Sequence, residues 1–321
     1  MTIPATEKPP CCAPSAQREI ATAPCEIVAR RPVVSQSGMI FLTGGEFSMG
    51  TDRADLAWPG DGEMPSLAVC VAPFFIAECA TTNAEFEEFV AATGYVTEAE
   101  KFGWSYVFYK EVSGVAKRAA AGVAAGTEWW VGVEGACWKR PEGPRSNLKN
   151  RADHPVVHVS WHDATAYCLW AGKRLPSEAD WEFAALGGRE KSVYPWGDEL
   201  QPEGKHRCNI WQGKFPTFNS GADGFIGRAP ARSFAANGHG LYNSVGNVWE
   251  WCSDWFNPKW RLSGPRENPA GPPTGDMKLI KGGSYLCHAS YCNRYRVAAR
   301  TGNTPDSSSG HCGFRCAMDA P

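Results

Sequence analysis

Two cysteines near the C-terminus, Cys287 and Cys292, could carry out redox or metal chemistry. A separation of five residues places their side chains on opposite faces of an ideal strand and about 140° apart on an ideal helix, so a shared site requires an irregular turn. The preceding Gly282 and Gly283 are compatible with such a bend. Two thiolates with few competing hard ligands favour a soft ion, Cu(I) before Zn(II). A structural disulfide or two unpaired thiols are the plainer alternatives.

Three histidines at four-residue intervals, His154, His158 and His162, form a second possible ligand set. Pro155 and the β-branched residues that follow it predict a strand over residues 154–161, and the third histidine lies beyond its end. A metal site should show a complete set of ligands at workable spacing, which this row lacks. We therefore interpret the three histidines as structural or solvent-facing. The HxxxExH pattern typical of a histidine-ligated iron site does not occur in the sequence.

The balance of charge limits the classes of partner. The chain has 321 residues, with 32 Lys and Arg against 34 Asp and Glu, so no net positive field is available to bind nucleic acid or an anionic membrane. No run approaches the roughly 18 apolar residues of a membrane span. Because the N-terminus also lacks the apolar segment of a signal peptide, we expect a cytoplasmic protein with a disordered tail over residues 1–36 and a single domain over 37–321. We take a monomer as the default.

Composition favours a fold rich in loops. The sequence contains 34 Gly, 24 Pro and 14 Trp; the first two break regular elements, and Trp supplies large buried surfaces. Thirteen cysteines without an export signal suggest metal-binding, catalytic or buried thiols rather than a disulfide scaffold.

Helices are predicted at three places. One begins at Thr81 or Thr82 and stops at Gly94, one begins near Asp163, and one begins at the capping-box-like Ser177 to Asp180 pair. Residues 112–126 read as a loop or a weak helix. Residues 194–277 show no convincing period, and a loop region of that length could be stabilised by bound cations. Short strands are predicted within residues 39–49, 69–76, 279–285, 294–300 and 313–317.

The chain closely resembles formylglycine-generating enzymes, the sulfatase-modifying family, in four long stretches: GGSYLCHASYCNRYRVAARTGNTPDSSSGHCGFRCA, HPVVHVSWHDATAYCLWAGKRLPSEADWEFAA, YPWGDELQPEGKHRCNIWQGKFP and GLYNSVGNVWEWCSDWF. Together they run from about Met39 to Ala317. The resemblance implies an α+β fold of the C-type-lectin-like kind, low in regular secondary structure. It also implies a copper-dependent oxidase that uses molecular oxygen to convert a cysteine in a C-x-P-x-R segment of an unfolded sulfatase to Cα-formylglycine.

A non-catalytic, calcium-stabilised binding paralogue of the same fold is the main alternative, and an iron-dependent sulfoxide synthase is a second. Retention of both cysteines argues against the first, and the missing HxxxExH motif argues against the second.

The resemblance assigns roles to individual residues. It makes Cys287 and Cys292 the Cu(I) ligands and essential catalytic residues. Further active-site positions are Ser284, Trp249, Tyr291, His288 and Arg300, although Trp249 also suits a core position and Arg300 a structural ion pair. His311 stands where human-type members have an asparagine. Trp129 matches an aromatic position of the peptide groove, and Trp104 replaces the aspartate with which vertebrate members bind the substrate arginine.

Two structural calcium sites and one cysteine pair also follow from the resemblance. Hard oxygen donors suit Ca²⁺. The first set combines the side chains of Asn209 and Asp223 with the carbonyls of Ile210 and Phe225. The second combines Asn243 and Glu250 with the carbonyls of Gly246 and Val248. Cys168 and Cys316 correspond to a disulfide pair of the family, which a reducing cytoplasm could keep open.

Overall fold

The computed structural model describes residues 13–15, 35–116 and 120–321. Its helices are α1 (Asn83–Thr93), α2 (Glu98–Phe102), α3 (Trp161–Trp170), α4 (Glu178–Leu186) and α5 (Trp260–Ser263). Its strands are β1 (Met39–Leu42), β2 (Gly45–Met49), β3 (Leu67–Val71), β4 (Phe74–Ala77), β5 (Trp104–Phe108), β6 (Ala120–Val123), β7 (Trp130–Glu134), β8 (Gly213–Lys214), β9 (Phe218–Asn219), β10 (Trp249–Trp255), β11 (Lys278–Lys281), β12 (Arg300–Asn303), β13 (Cys312–Gly313) and β14 (Ala317–Asp319). None of the described helices is long and apolar enough to cross a bilayer.

Capping boxes fix where the longer helices begin. Thr82 caps α1, and the Ser177 to Asp180 pair caps α4, so both predicted starts are confirmed. The N-cap of α3 is Ser160, not Asp163. Asp163 lies in the first turn of the helix, and its carboxylate accepts a hydrogen bond from the Ser160 backbone N–H at 2.9 Å. Each such box satisfies two backbone donors that the helix itself leaves unpaired.

The predicted strand over residues 154–161 is wrong. Only an isolated bridge between Thr82 and Pro155 forms there. The backbone N–H of Val156 donates to Thr81, and that of His158 donates to Ser309, so successive donors go to different segments and no ladder develops. Proline, which lacks a backbone donor, further limits pairing.

The central sheet has the order β12-β11-β10-β13. Its strand β10 was not predicted, because nearly all of its residues are buried and the polar and apolar positions do not alternate. Helix α4 packs against β10 and β11. Two three-stranded sheets, β1-β4-β14 and β5-β7-β6, and two strand pairs, β2-β3 and β8-β9, complete the described fold.

Other strand predictions were correct in place but not in length. Residues 39–49 form two strands, as predicted, yet β1 pairs with β4 and β2 with β3. The segment 69–76 contains parts of two strands, β3 and β4. The strand predicted over 279–285 is shorter, because β11 ends at Lys281. Residues 313–317 contribute only to the ends of the short β13 and β14. The strand predicted over 294–300 is wrong, since β12 begins only at Arg300. Arg294 and Arg296 instead enter buried ion pairs with Asp61 and Glu63.

Most of the predicted tail, residues 1–36, lies outside the described residues. Its described part at 13–15 contacts the domain. The Ser15 hydroxyl donates to Asn303 Oδ1 at 2.6 Å, Asn303 Nδ2 donates to the Pro14 carbonyl at 3.2 Å, and Ala13 is buried.

The histidine row is structural, as interpreted from the sequence. His158 is fully buried, with Nδ1 2.8 Å from the Ser105 hydroxyl and Nε2 2.8 Å from the Pro141 carbonyl. Since a carbonyl only accepts, Nε2 carries the proton. His154 contacts Asp153, and His162 contacts Glu98.

Neutral His158 should make stability depend on pH. Burial, with help from the charge of Arg228, lowers the pKa of His158 from 6.5 to about 3. The histidine therefore binds a proton in the unfolded chain but not in the folded chain. About 1.4 kcal/mol of stability is lost as the pH falls from 7.5 to 5.5. Burial raises the pKa of Asp163 and Asp254 to about 6, which opposes this trend, so the measurement must isolate the histidine.

We expect the difference in free energy of unfolding between wild type and His158→Gln, measured in urea, to shrink by about 1.4 kcal/mol over that pH range. A difference that does not change with pH would contradict a neutral buried His158.

Candidate active site around Cys287 and Cys292

The two cysteines of the candidate site lie side by side. Their Sγ atoms are 3.6 Å apart, both side chains are almost completely buried, and no disulfide bond joins them. The chain leaves β11 through Gly282 and Gly283, whose φ angles are +89° and +71°. A Cβ on Gly282 would lie 2.7 Å from the Ser244 carbonyl oxygen, so the left-handed bend and the close backbone approach both require glycine.

Successive turns then bring the sulfurs together. The Cys287 N–H donates to the Ser284 carbonyl at 2.9 Å, and the Cys292 N–H donates to the His288 carbonyl at 2.8 Å. The backbone N–H of Ser284 also donates to Cys287 Sγ at 3.3 Å. The irregular turn predicted from the spacing is confirmed.

A buried cation lies beside Cys292. Arg294 Nη1 is 3.8 Å from Cys292 Sγ, and Arg294 Nε donates to Asp61 Oδ2 at 2.5 Å. The guanidinium also packs over Trp58, 4.7 Å from the ring centroid. Burial raises the pKa of Asp61, and the adjacent Arg294 opposes this shift. Sequence reasoning missed this group, because no local pattern links Asp61 to residues more than two hundred positions away.

An aromatic wall, formed by Trp129, Phe215 and Tyr291, lies next to the thiol turn. The rings of Phe215 and Tyr291 are stacked, with centroids 4.9 Å apart, and Trp129 meets both edge-on at 5.3 and 4.9 Å. The indole N–H of Trp129 is buried and has no hydrogen-bond partner in the described structure. Phe215 was missed from sequence, because it lies in the long region without periodicity.

Ser284 and Trp249 are two further buried positions of the predicted site, and Ser284 lies three residues before Cys287. Both are fully buried. The Ser284 hydroxyl accepts a hydrogen bond from the Leu286 N–H at 3.3 Å. Trp249 belongs to the same apolar cluster as Cys287 and Cys292, and its indole N–H is another buried donor without a partner in the described structure. Such an N–H can donate to a bound polar species.

The two predicted site histidines differ in surroundings. His288 is half-buried, burial lowers its pKa, and its Nδ1 lies 2.7 Å from the Ser290 hydroxyl. His311 is fully buried, with Nδ1 2.7 Å from the Ser309 hydroxyl and its ring 4.4 Å from that of Trp130.

Arg300 lies in a buried ion pair. Its Nε and Nη2 donate to the two carboxylate oxygens of Glu178 at 2.7 and 2.8 Å, and its Nη1 donates to the Asp61 carbonyl at 3.3 Å. Its contacts are therefore those of the ion-pair alternative, and the described hydrogen bonds link Arg300 to Cys292 through Asp61 and Arg294.

The first calcium set lies together. The backbone N–H groups of Ile210 and Phe225 donate to the two carboxylate oxygens of Asp223, at 3.0 and 3.1 Å. Asn209 uses its Nδ2 to bind the Gly227 carbonyl at 2.9 Å, a bond that leaves its side-chain oxygen unused. Burial raises the pKa of Asp223, and a bound cation would reverse this shift. The donors fit a hard cation.

The second calcium set fits less completely. Asn243 Oδ1 is a buried acceptor without a hydrogen-bond partner among the described atoms. Glu250, however, accepts hydrogen bonds from Arg315 at 2.6 and 2.7 Å and from Trp181 at 2.7 Å, so a cation would have to share its carboxylate. The two carbonyl donors lie just before β10: Gly246 and Val248.

Over residues 13–15, 35–116 and 120–321, no three His, Cys, Asp or Glu side chains cluster around a possible metal. Both calcium sets therefore depend on amide and backbone oxygens. The other cysteine pair, Cys168 and Cys316, is reduced here, with its Sγ atoms 3.6 Å apart.

The fold and the site together define an α+β domain of short elements in which a buried cysteine pair, not joined by a disulfide bond, lies beside an aromatic wall. Residues 25–320 match the family described as sulfatase-modifying factor enzyme 1-like domain, and the chain belongs to this family. The predicted fold class is thereby confirmed.

Individual relatives agree with this membership. A formylglycine-generating enzyme of Streptomyces coelicolor is 58% identical over 286 residues, which cover 89% of this chain and 90% of that protein. An inactive C-alpha-formylglycine-generating enzyme 2 of Bos taurus is 46% identical over 285 residues, 88% of each chain. Among solved structures, PvdO from Pseudomonas aeruginosa has a similar fold, with a TM-score of 0.64, 23% identity, and coverage of 88% of this chain and 94% of that one.

Proposed function

We propose that this protein is a formylglycine-generating oxidase, which converts the cysteine of a C-x-P-x-R segment in unfolded sulfatases to Cα-formylglycine. The observation that carries the proposal is the buried pair of cysteines whose Sγ atoms lie 3.6 Å apart without a disulfide bond, in a chain 58% identical to a protein named for that activity. The proposal includes a cytoplasmic, monomeric enzyme, as the sequence pattern suggests.

Cys287 and Cys292 fit Cu(I) as ligands. Thiolates are soft donors, and no third protein side chain of ligand type clusters with them among the described residues, which leaves a coordination position for the substrate thiolate. Bound Cu(I) would supply the one-electron exchange with dioxygen that thiolates alone do not provide. The turn from Gly282 to Cys292 holds both sulfurs in place before the ion binds.

The reaction balances as an oxidation of the substrate cysteine. A Cβ–H bond breaks and a C=S bond forms, after which water replaces sulfur and gives the aldehyde and hydrogen sulfide. Dioxygen, in becoming water, takes up twice as many electrons as this cysteine gives, so an external thiol must supply the rest. The buried site excludes bulk water from the oxidation step.

The surrounding side chains have proposed tasks. Ser284 holds a small polar species near the sulfurs. Trp249 lines the dioxygen pocket, and its indole N–H has no hydrogen-bond acceptor among the described residues. Tyr291 and His288 place polar groups at the mouth of the site, and Trp129 offers an apolar face to the substrate peptide.

The rival proposal is a calcium-stabilised binding paralogue without catalysis. The Bos taurus relative named as inactive is 46% identical to this chain, against 58% for the Streptomyces coelicolor enzyme, and this chain keeps both cysteines. We therefore favour the oxidase.

Mass spectrometry tests the activity directly. A C-x-P-x-R peptide incubated with the protein, Cu(I), dioxygen and a thiol reductant should lose about 18 Da as SH and H are replaced by O. An unchanged mass with the wild-type protein would remove the proposal.

Calcium is proposed as a structural ion. Its removal by EGTA should lower the melting temperature by roughly 5–10 °C, since an ion at a hundredfold its dissociation constant stabilises by about 2.7 kcal/mol. The Asp223→Asn variant should start lower and respond less, whereas Asp55→Asn, at an exposed ion pair, should respond like wild type. A melting temperature indifferent to EGTA and to added calcium would contradict bound calcium.

A further inference from the structure

We propose that Glu134, together with Trp104, forms the subsite that binds the arginine of the C-x-P-x-R segment. The inference deepens the proposed function and rests on it. At the position where vertebrate members are expected to use an aspartate, this chain presents an indole ring, which carries no charge, so an acid must come from elsewhere.

Glu134 lies directly opposite Trp104. The two residues are paired in the antiparallel β5–β7 ladder, which places their side chains on one face of the sheet with Cβ atoms about 4.5–5.5 Å apart. Trp104 is half-buried and its ring meets that of Tyr106 edge-on at 5.0 Å, whereas Glu134 is exposed. A guanidinium between them can donate to the carboxylate and stack on the indole, which is the combination arginine binds best.

The same face of the sheet leads to the thiols. Trp104, Tyr106 and Phe108 alternate onto one face of β5. The ring of Phe108 contacts that of Trp211, with centroids 5.6 Å apart, and the backbone N–H of Trp211 donates to the carbonyl of Cys287 at 3.0 Å. One end of β5 thus lies near Cys287, and the other end carries the proposed subsite.

The distance also suits the substrate. Trp104 and Phe108 are four residues apart on a strand, or about 13 Å. The arginine of C-x-P-x-R follows the cysteine by four residues, so an extended peptide spans about the same length. A peptide running beside β5 therefore brings its arginine to the Trp104 end.

Other acids near the site are already engaged. Glu111 and Glu142 accept hydrogen bonds from Arg228, and Asp61 is paired with Arg294. Glu134, in contrast, forms no salt bridge with any other residue that the structure describes.

Glu128 supplies a matched control. It is exposed and lies near the other end of β7, and its carboxylate accepts a hydrogen bond from the Gly126 N–H at 3.1 Å. Glu134→Gln removes a charge at the last residue of β7, and Glu128→Gln removes the same charge two residues before β7 begins. The two variants therefore differ only in position.

The experiment measures conversion of three peptides that end the motif in Arg, Gln or Glu. For Glu134→Gln we expect KM for the Arg peptide to rise about tenfold, the loss typical of a charge-assisted pair with stacking, with kcat within about twofold of wild type. The Gln peptide should not distinguish this variant from wild type. Glu134→Arg should prefer the Glu peptide to the Arg peptide, and Glu128→Gln should behave as wild type.

A binding measurement separates this inference from the proposed function. Peptides with alanine in place of the reacting cysteine are titrated against each protein by tryptophan fluorescence. We expect Glu134→Gln to bind the Arg peptide about tenfold more weakly than wild type does, whether or not turnover occurs. Failure of wild type to convert any peptide counts against the oxidase alone. Equal Arg-peptide affinity in wild type and Glu134→Gln, or a loss seen in Glu128→Gln instead, overturns the arginine subsite.

Discussion

Replacing Cys287 or Cys292 by serine is expected to lower the rate of peptide conversion by more than about a thousandfold, equivalent to ~4 kcal/mol of transition-state stabilisation. A hydroxyl is a hard donor that stays protonated at neutral pH, so a single remaining thiolate cannot hold Cu(I) in the same way. Both sulfurs face each other at 3.6 Å inside the core, and either substitution removes half of the protein's ligand set.

Two measurements check this expectation. Turnover is followed by the mass loss of the peptide, and Cu(I) affinity is measured by competition with a chromogenic chelator in the absence of substrate. Cys70→Ser provides the control, because Cys70 is a half-buried free thiol on β3; it should keep wild-type copper affinity and turnover. A Cys287→Ser protein that retained a tenth of the wild-type rate would rule out the two-thiolate site.

Local chemistry explains which parts of the fold were predictable. The Thr82 and Ser177 caps bind backbone groups within three residues, so their sequence signatures can be recognised without tertiary information. The bend at Gly282 and Gly283 and the thiol turn after it are equally local, and the pairing of Cys287 with Cys292 follows from them.

The failures have a tertiary origin. Residues 156–159 look like a strand because three of the four are β-branched, yet the backbone N–H groups of Val156 and His158 donate to two unrelated segments. Strand β10 is buried on both faces and so lacks the alternation by which strands are recognised. Asp61 meets Arg294 only because two long loops converge beside Cys292, and periodicity carries no information about such contacts.

The site residues also fall into two groups, those expected from the sequence and those revealed only by the tertiary structure. Trp129 and Tyr291 were expected in the active site from family resemblance, and the structure brings their rings together. Phe215, which stacks on Tyr291, can be assigned to the site only once the loop after Trp211 is known. Glu134 can be assigned only once the register of β7 is known.

Arg300→Leu is expected to cost about 3–5 kcal/mol of folding free energy, the range for breaking one side of a buried ion pair. Arg300 is 2% exposed and holds both carboxylate oxygens of Glu178. Burial alone would raise the pKa of Glu178, but the charges of Arg300 and Lys281 outweigh it and keep the pKa below its ordinary value. Without Arg300, the carboxylate is left in the core with Lys281, at 3.9 Å, and Arg261 as the compensating charges.

A double variant separates a structural from a catalytic role for Arg300. In Arg300→Leu/Glu178→Leu no charge is left unpaired at this position, so urea unfolding should recover most of the lost stability. Because the described hydrogen bonds link Arg300 to Cys292 indirectly, through Asp61 and Arg294, turnover per folded molecule should then return to within severalfold of wild type. If the double variant regained stability but stayed inactive, Arg300 would have to act on the substrate or the thiol site directly, and the ion pair with Glu178 would be secondary.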